Sequence, residues 1–192
     1  MKRTTVFGGS FNPIHIGHIN LSRHLLKEGL TDEVWLLISP QNPLKKQTGL
    51  IDEQTRLHLA QLALEDEEGI TPSDFEFTLP RPSYTWNTLN ALKKTYTDRL
   101  FSLLIGADNW AIFNRWAHYE DILRHYPIFV YPRIGFEINV QTLPESVKMV
   151  QAPMFPYSST EIRQAIARGS SVKDMLPPKV YQQIRKLKLY RT

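Results

Sequence analysis

Two short runs, residues 33–39 (EVWLLIS) and 100–105 (LFSLLI), are apolar almost without a break. An alternating run would leave one face to water. These leave neither, which is the pattern of strands covered on both faces of a parallel sheet. Parallel neighbours need long crossovers, and stretches with helical spacing lie between the runs. Residues 52–65 carry apolar side chains at 57, 59, 60, 62, 63 and 64, with Asp52 as N-cap, and 85–96 reads as another helix. Residues 4–7 read as a first strand ending in Gly8-Gly9, followed by a helix from 18 to 27. Residues 75–79, 127–131 and 147–150 are further expected strands, and 119–124, 159–167 and 178–187 further helices. This alternation predicts an α/β fold with a doubly wound parallel sheet, helices on both faces, and a small helical part over about 158–192.

Composition narrows the chemistry. A chain of 192 residues with 42% apolar side chains suits one domain with a sizeable core. Cysteine is absent, which excludes disulfides, thiolate nucleophiles, Cys-ligated zinc and iron–sulfur clusters, and fits a reducing, cytoplasmic setting. No apolar stretch follows Met1-Lys2-Arg3 as in a signal peptide, and no run of ~18 apolar residues suggests a membrane span. The net charge is +4. It is uneven: residues 161–192 hold eight basic side chains against Glu161 and Asp174, for +6, and the rest of the chain carries −2. Such an excess suggests anionic partners, although most of these charges read as a solvated helix face. A nucleic-acid surface is not expected, because the basic tail is nearly free of rings (Tyr181 and Tyr190 only).

The segment with chemistry is Gly8-Gly9-Ser10-Phe11-Asn12-Pro13-Ile14-His15-Ile16-Gly17-His18. It leaves the first strand and enters a helix, where doubly wound sheets bind ligands and helix N-termini attract anions. Glycines let a phosphate approach the backbone. His15 and His18, three apart, would share one side of a helical turn, and could donate hydrogen bonds to phosphates or, if protonated, stabilise charge on a leaving group. The G-x-G-x-x-G and G-x-x-x-x-G-K-[ST] fingerprints are absent. Two histidines without a third ligand make a poor zinc site, and a purely structural role for the pair stays open.

This segment resembles the G-G-x-F-[DN]-P-x-H-x-G-H signature of the nucleotidyltransferase superfamily. Four more segments resemble the bacterial nicotinate-nucleotide adenylyltransferase family. Pro40-Gln41-Asn42-Pro43-Leu44-Lys45 resembles P-x-x-P-H-K, with Leu44 where His is common. Pro82-Ser83-Tyr84-Thr85-Trp86-Asn87-Thr88-Leu89 resembles P-S-Y-T-x-D-T-L, with Asn87 where Asp is common. Gly106-Ala107-Asp108 with Phe113 and Trp116 resembles G-A-D-x-x-x-x-F-x-x-W, and Ser158-Ser159-Thr160-Glu161-Ile162-Arg163 resembles S-S-T-x-I-R.

The resemblance implies a Rossmann-like fold and an enzyme of NAD biosynthesis. It would join ATP and nicotinate mononucleotide into nicotinate adenine dinucleotide, releasing pyrophosphate. A sister transferase acting on phosphopantetheine or a cytidylyl acceptor is the alternative. The catalytic set implied is His15, His18 and Arg163. ATP would meet Gly8, Gly9, Phe11, His15, Gly17, His18, Gly106, Asp108, Ser159, Thr160 and Arg163. The mononucleotide would meet Asn12, Lys45, Thr85, Trp116 and Arg133, with Trp116 stacking on the pyridine ring. Mg²⁺ is expected with ATP, without an assigned protein ligand. An assembly of several copies is compatible with the sequence.

Overall fold

The computed structural model describes residues 1–40 and 49–191. Six strands among them form one sheet: β1 (Lys2–Gly9), β2 (Glu33–Ile38), β3 (Ile70–Ser73), β4 (Arg99–Gly106), β5 (Ile128–Tyr131) and β6 (Val147–Met149). Every neighbouring pair is parallel, in the order β3-β2-β1-β4-β5-β6. The chain thus winds outward from β1 to β3, returns to the centre, and winds outward the other way from β4. Strand order reverses between β1 and β4, and such a switch point opens a crevice at the carboxyl ends of the strands.

The helices are α1 (Ile16–Lys27), α2 (Glu53–Leu64), α3 (Thr85–Thr95), α4 (Ala107–Trp110), α5 (Tyr119–His125), α6 (Ser159–Ala167) and α7 (Pro178–Lys186). Alternate strand residues feed two cores. Phe7, Leu36, Ile38 and Leu104 meet α1, α2, α6 and α7 through Leu25, Leu59, Ile162 and Ile184. Val6, Trp35, Leu37, Leu103 and Ile105 meet α3 and α5 through Leu89, Leu92 and Ile122. All six residues of β2 are buried, as its unbroken apolar run requires. Asp52 caps α2, its carboxylate accepting the Thr55 N–H at 2.8 Å.

One expected strand is absent. Residues 75–79 alternate as a strand would, yet Phe75–Thr78 is a 3₁₀ turn, and the edge strand is Ile70–Ser73. Its Pro72 sits opposite Leu36 at an edge, where a missing N–H is tolerated. The alternation at 75–77 has a different cause: Glu76 is buried for polar reasons given below.

No helix of the described residues is long and apolar enough to cross a membrane. The C-terminal basicity has a partial structural account. The Lys179 ammonium on α7 lies 2.6 Å from Glu65 and 3.5 Å from Asp66, just beyond α2, so it neutralises the acidic end of the helix on which α7 packs.

Candidate active site

β1 ends at Gly9 and the chain turns through Ser10–Pro13 into α1. His15 is the N-cap of that helix: its Nδ1 accepts the Gly17 N–H at 3.1 Å, and the His15 N–H is accepted by His18 Nδ1, also at 3.1 Å. A capping box built from two imidazoles fixes both tautomers. Each Nδ1 is an acceptor, so each proton sits on Nε2. The rings lie 3.7 Å apart between centroids, and Phe11 meets His18 edge-on at 4.9 Å. Burial, then the Arg133 charge, pushes the His15 pKa down to about 3. In this arrangement both Nδ1 atoms are taken up by the cap, which leaves Nε2 as the donor atom of each ring. Gly17 serves this arrangement directly, since a Cβ there would lie 2.9 Å from the His15 ring.

The turn after β1 is held by its carbonyls. Arg56 Nη1 donates to Ser10 O at 2.7 Å, Arg163 Nη1 to Asn12 O at 2.7 Å, and Ser159 Oγ to Pro13 O at 2.9 Å. Ser159 and Arg163, expected on phosphates, are thus tied first to the turn, although both also line the cavity beside the histidines. Ser158 caps α6 in a box with Glu161, and Ser158, Ser159 and Thr160 at the start of that helix line the same cavity.

Three cavities converge on Phe7 and Tyr131 at the strand ends. One is lined by Gly8, Gly9, Phe11, His15, His18, Asp108, Ser159, Thr160 and Arg163. A second, on the side of α3, is lined by Gly8, Gly9, Glu76, Ser83, Thr85, Gly106 and Trp116. A third includes His15, Gly17, His18, Arg133, Phe155 and Tyr157. Among the described residues, the buried side-chain polar atoms without a hydrogen-bond partner are Ser83 Oγ, Asp108 Oδ1, Trp116 Nε1 and Arg133 Nε. All four belong to residues lining these cavities. Folds usually pair such atoms, and two of these, Asp108 Oδ1 and Arg133 Nε, lie 3.6 Å from each other. Gly106 makes room for one of them: a Cβ there would lie 2.3 Å from Asp108 Oδ1 and 3.1 Å from Tyr131.

Two residues expected at the mononucleotide, Asn12 and Arg133, line the cavity beside the histidines and not the one lined by Trp116. Asn12 is buried with both ends of its amide engaged, Nδ2 donating to Gly49 O at 2.9 Å and Oδ1 accepting from Tyr190 at 2.8 Å. Arg133 lines the two cavities next to His15 and not the one lined by Trp116, and its Nε lies 3.6 Å from Asp108 Oδ1. Lys45 and Leu44 lie outside the described residues. Trp110 stacks on Phe113 at 5.2 Å, and Trp116 lies tilted against the same ring, also at 5.2 Å.

Glu76 lies at the wall of the second cavity. Its carboxylate accepts from Ser39 Oγ and Thr88 Oγ1, both at 2.9 Å, joining the end of β2 to α3. Burial raises its pKa above the ordinary 4.5. The folded chain then binds this proton more tightly than the unfolded one, so the group costs stability as pH rises above the ordinary value. Glu76→Gln matches the protonated form. Its melting temperature is expected to equal wild type near pH 4 and to exceed it increasingly toward neutrality, as read by thermal unfolding at a series of pH values.

The family model for cytidylyltransferase-like proteins matches residues 6–165. A Bacteroides thetaiotaomicron protein bearing the name probable nicotinate-nucleotide adenylyltransferase is 49% identical, over 95% of this chain and 91% of that protein. The chain belongs to the nicotinate-nucleotide adenylyltransferase family. A Flavobacterium johnsoniae member bearing the same name is 41% identical over 97% of both chains. In fold, the chain matches Plasmodium falciparum nicotinic acid mononucleotide adenylyltransferase complexed with NaAD, with a TM-score of 0.82 at 19% identity over 99% of this chain and 98% of that one.

In and beside these cavities, the sequence reading gave no role to Tyr131, Arg56 and Glu76, and placed Ser83 in a motif without a role. Tyr131 closes an apolar strand run and reads as core. Arg56 left a legible sign: with Leu59, Ala60, Ala63 and Leu64 it occupies the buried face of α2 at helical spacing, an odd place for a cation.

Proposed function

We propose that this chain transfers the adenylyl group of ATP to nicotinate mononucleotide, forming nicotinate adenine dinucleotide and pyrophosphate in NAD synthesis. The carrying observation is that the four buried polar atoms without a hydrogen-bond partner among the described residues all belong to cavities that meet at the switch point between β1 and β4. The family membership agrees with it. The 5′-phosphate oxygen of the mononucleotide attacks the α-phosphorus in line, and the bond to the bridging oxygen of pyrophosphate breaks. The nucleophile is already an anion, so the protein's task is positioning and charge neutralisation.

The Nε2–H groups of His15 and His18 donate to the phosphates, with His18 facing the charge that grows on the leaving group. The N-terminus of α6, with Ser159 and Thr160, and the part of Arg163 not spent on Asn12 receive the rest of the triphosphate. Mg²⁺ enters as part of the nucleotide substrate. Among the described residues no group of three or more acidic or imidazole side chains could cage it, and Mg²⁺ commonly relies on phosphates, waters and one carboxylate. Asp108, whose Oδ1 accepts no hydrogen bond from the described residues and faces the Arg133 Nε at 3.6 Å, suits that carboxylate. When bound, the ion offsets phosphate charge.

Trp116 stacks on the pyridine ring, and Ser83 with the first N–H groups of α3 at Thr85 receives the pyridine carboxylate. Trp116→Leu is expected to raise KM for the mononucleotide about tenfold, leaving KM for ATP within about twofold in steady-state assays. The reading itself is tested by pyrophosphate release from ATP with a panel of acceptors. Nicotinate mononucleotide should support turnover. Release with phosphopantetheine alone would overturn the assignment.

A further inference from the structure

Tyr190, just beyond α7, reaches the turn that follows β1. α7 ends in a reversal: Lys188 has a φ of 53°, its N–H donates to Arg185 O at 3.2 Å, and the Leu189 N–H donates to Ile184 O at 3.0 Å. This pair of bonds is a Schellman turn, and it throws Leu189 and Tyr190 back against the apolar core. Tyr190, itself at a φ of 61°, donates its hydroxyl to Asn12 Oδ1 at 2.8 Å. The Gly49 carbonyl can only accept, so it turns Nδ2 toward itself, at 2.9 Å, and leaves Oδ1 to accept from the Tyr190 hydroxyl. The Asn12 backbone carbonyl receives Arg163. Asn12 is thus a joint between the turn, the chain at Gly49, α6 and the C-terminus. It is 4% exposed, so an unpaired end would find no water to replace its partner. Burial also holds the Tyr190 hydroxyl above its usual pKa, against the pull of Arg163 and Arg56, which keeps it a donor.

We propose that Tyr190 is a positioning residue for ATP: its hydroxyl holds the Asn12 amide in place and thereby the backbone of the turn that leads to His15 and braces Arg163. The proposal rests on the adenylyltransferase reading for the identity of the ligand. It assigns the C-terminal segment a role in the site that its basic side chains do not supply.

Tyr190→Phe removes the hydroxyl and keeps the ring. Equilibrium binding of ATP alone is expected to weaken about tenfold, while KM for nicotinate mononucleotide stays within about twofold. A structural loosening would weaken both substrates. Asn12→Ala combined with Tyr190→Phe should bind ATP no worse than Asn12→Ala alone, since both changes cut one bond. Unchanged ATP affinity in Tyr190→Phe, equal weakening of both substrates, or additive losses in the double variant would each overturn the proposal. ATP binding needs no second substrate. A wild-type protein that binds ATP without turning over nicotinate mononucleotide would therefore fail the functional reading and leave this comparison decisive for Tyr190.

Discussion

His18→Ala is expected to lower the rate constant for pyrophosphate release by roughly 10²–10³-fold, the range seen when one preorganised donor to a developing charge is lost. The tautomer argument predicts where that loss appears. His18 Nδ1 is spent on the His15 N–H at 3.1 Å, so the group offered to substrate is a neutral Nε2–H. A neutral donor gains most when charge builds up on the bridging oxygen. The effect should therefore fall on kcat, with a smaller change in ATP affinity measured at equilibrium. The substitution also removes half of a helix cap, which costs ~1 kcal/mol of stability. Thermal unfolding of the variant separates that cost from the catalytic one. A variant with near-wild-type kcat would remove His18 from the mechanism.

Arg56→Met is expected to destabilise the chain by about 3–5 kcal/mol in denaturant unfolding, the scale for breaking a buried charged network. The guanidinium is 1% exposed and is held by carbonyls: Ser10, Ser39, Pro40 and Ile51. These belong to the turn after β1, the end of β2 and the approach to α2. One side chain thus satisfies four backbone acceptors where no strand or helix can. Methionine keeps the stem volume and abandons all of them. Arg56→Lys should recover only part of the loss, because an ammonium cannot reproduce the planar fork. A Met variant within about 1 kcal/mol of wild type would show that the carbonyls find other partners at little cost.

Much of the architecture was legible in the sequence because the runs at 33–39 and 100–105 admit few arrangements. Strands apolar on both faces demand helices on both sides, and the chain supplies them in alternation. Asp52 was readable as a cap because its side chain acts on the next turn of the backbone. What escaped shares one property, that its partners are distant in the chain. The alternation around Glu76 imitates a strand, but its burial comes from Ser39 and Thr88, 37 and 12 residues away. β3 was missed because Ile70-Thr71-Pro72-Ser73 is short and interrupted by proline, and its place is set by pairing with β2. In the site, motif resemblance named about half of the cavity residues, yet it could not say which atom of each faces the ligand. Asn12 sits in the signature, and its amide turns to Gly49 and Tyr190. Ser159 sits in another, and its hydroxyl turns to Pro13.

The central claim is that adenylyl transfer is direct, with both nucleotides held at the β1–β4 switch point and no bond to the protein. The stereochemical course at phosphorus tests it. Wild-type protein would be given a single diastereomer of ATP carrying sulfur on the α-phosphorus, together with nicotinate mononucleotide, and the configuration of the dinucleotide determined. One in-line displacement predicts dinucleotide with inverted configuration. Retention would require two displacements and an adenylylated protein, and would contradict the account.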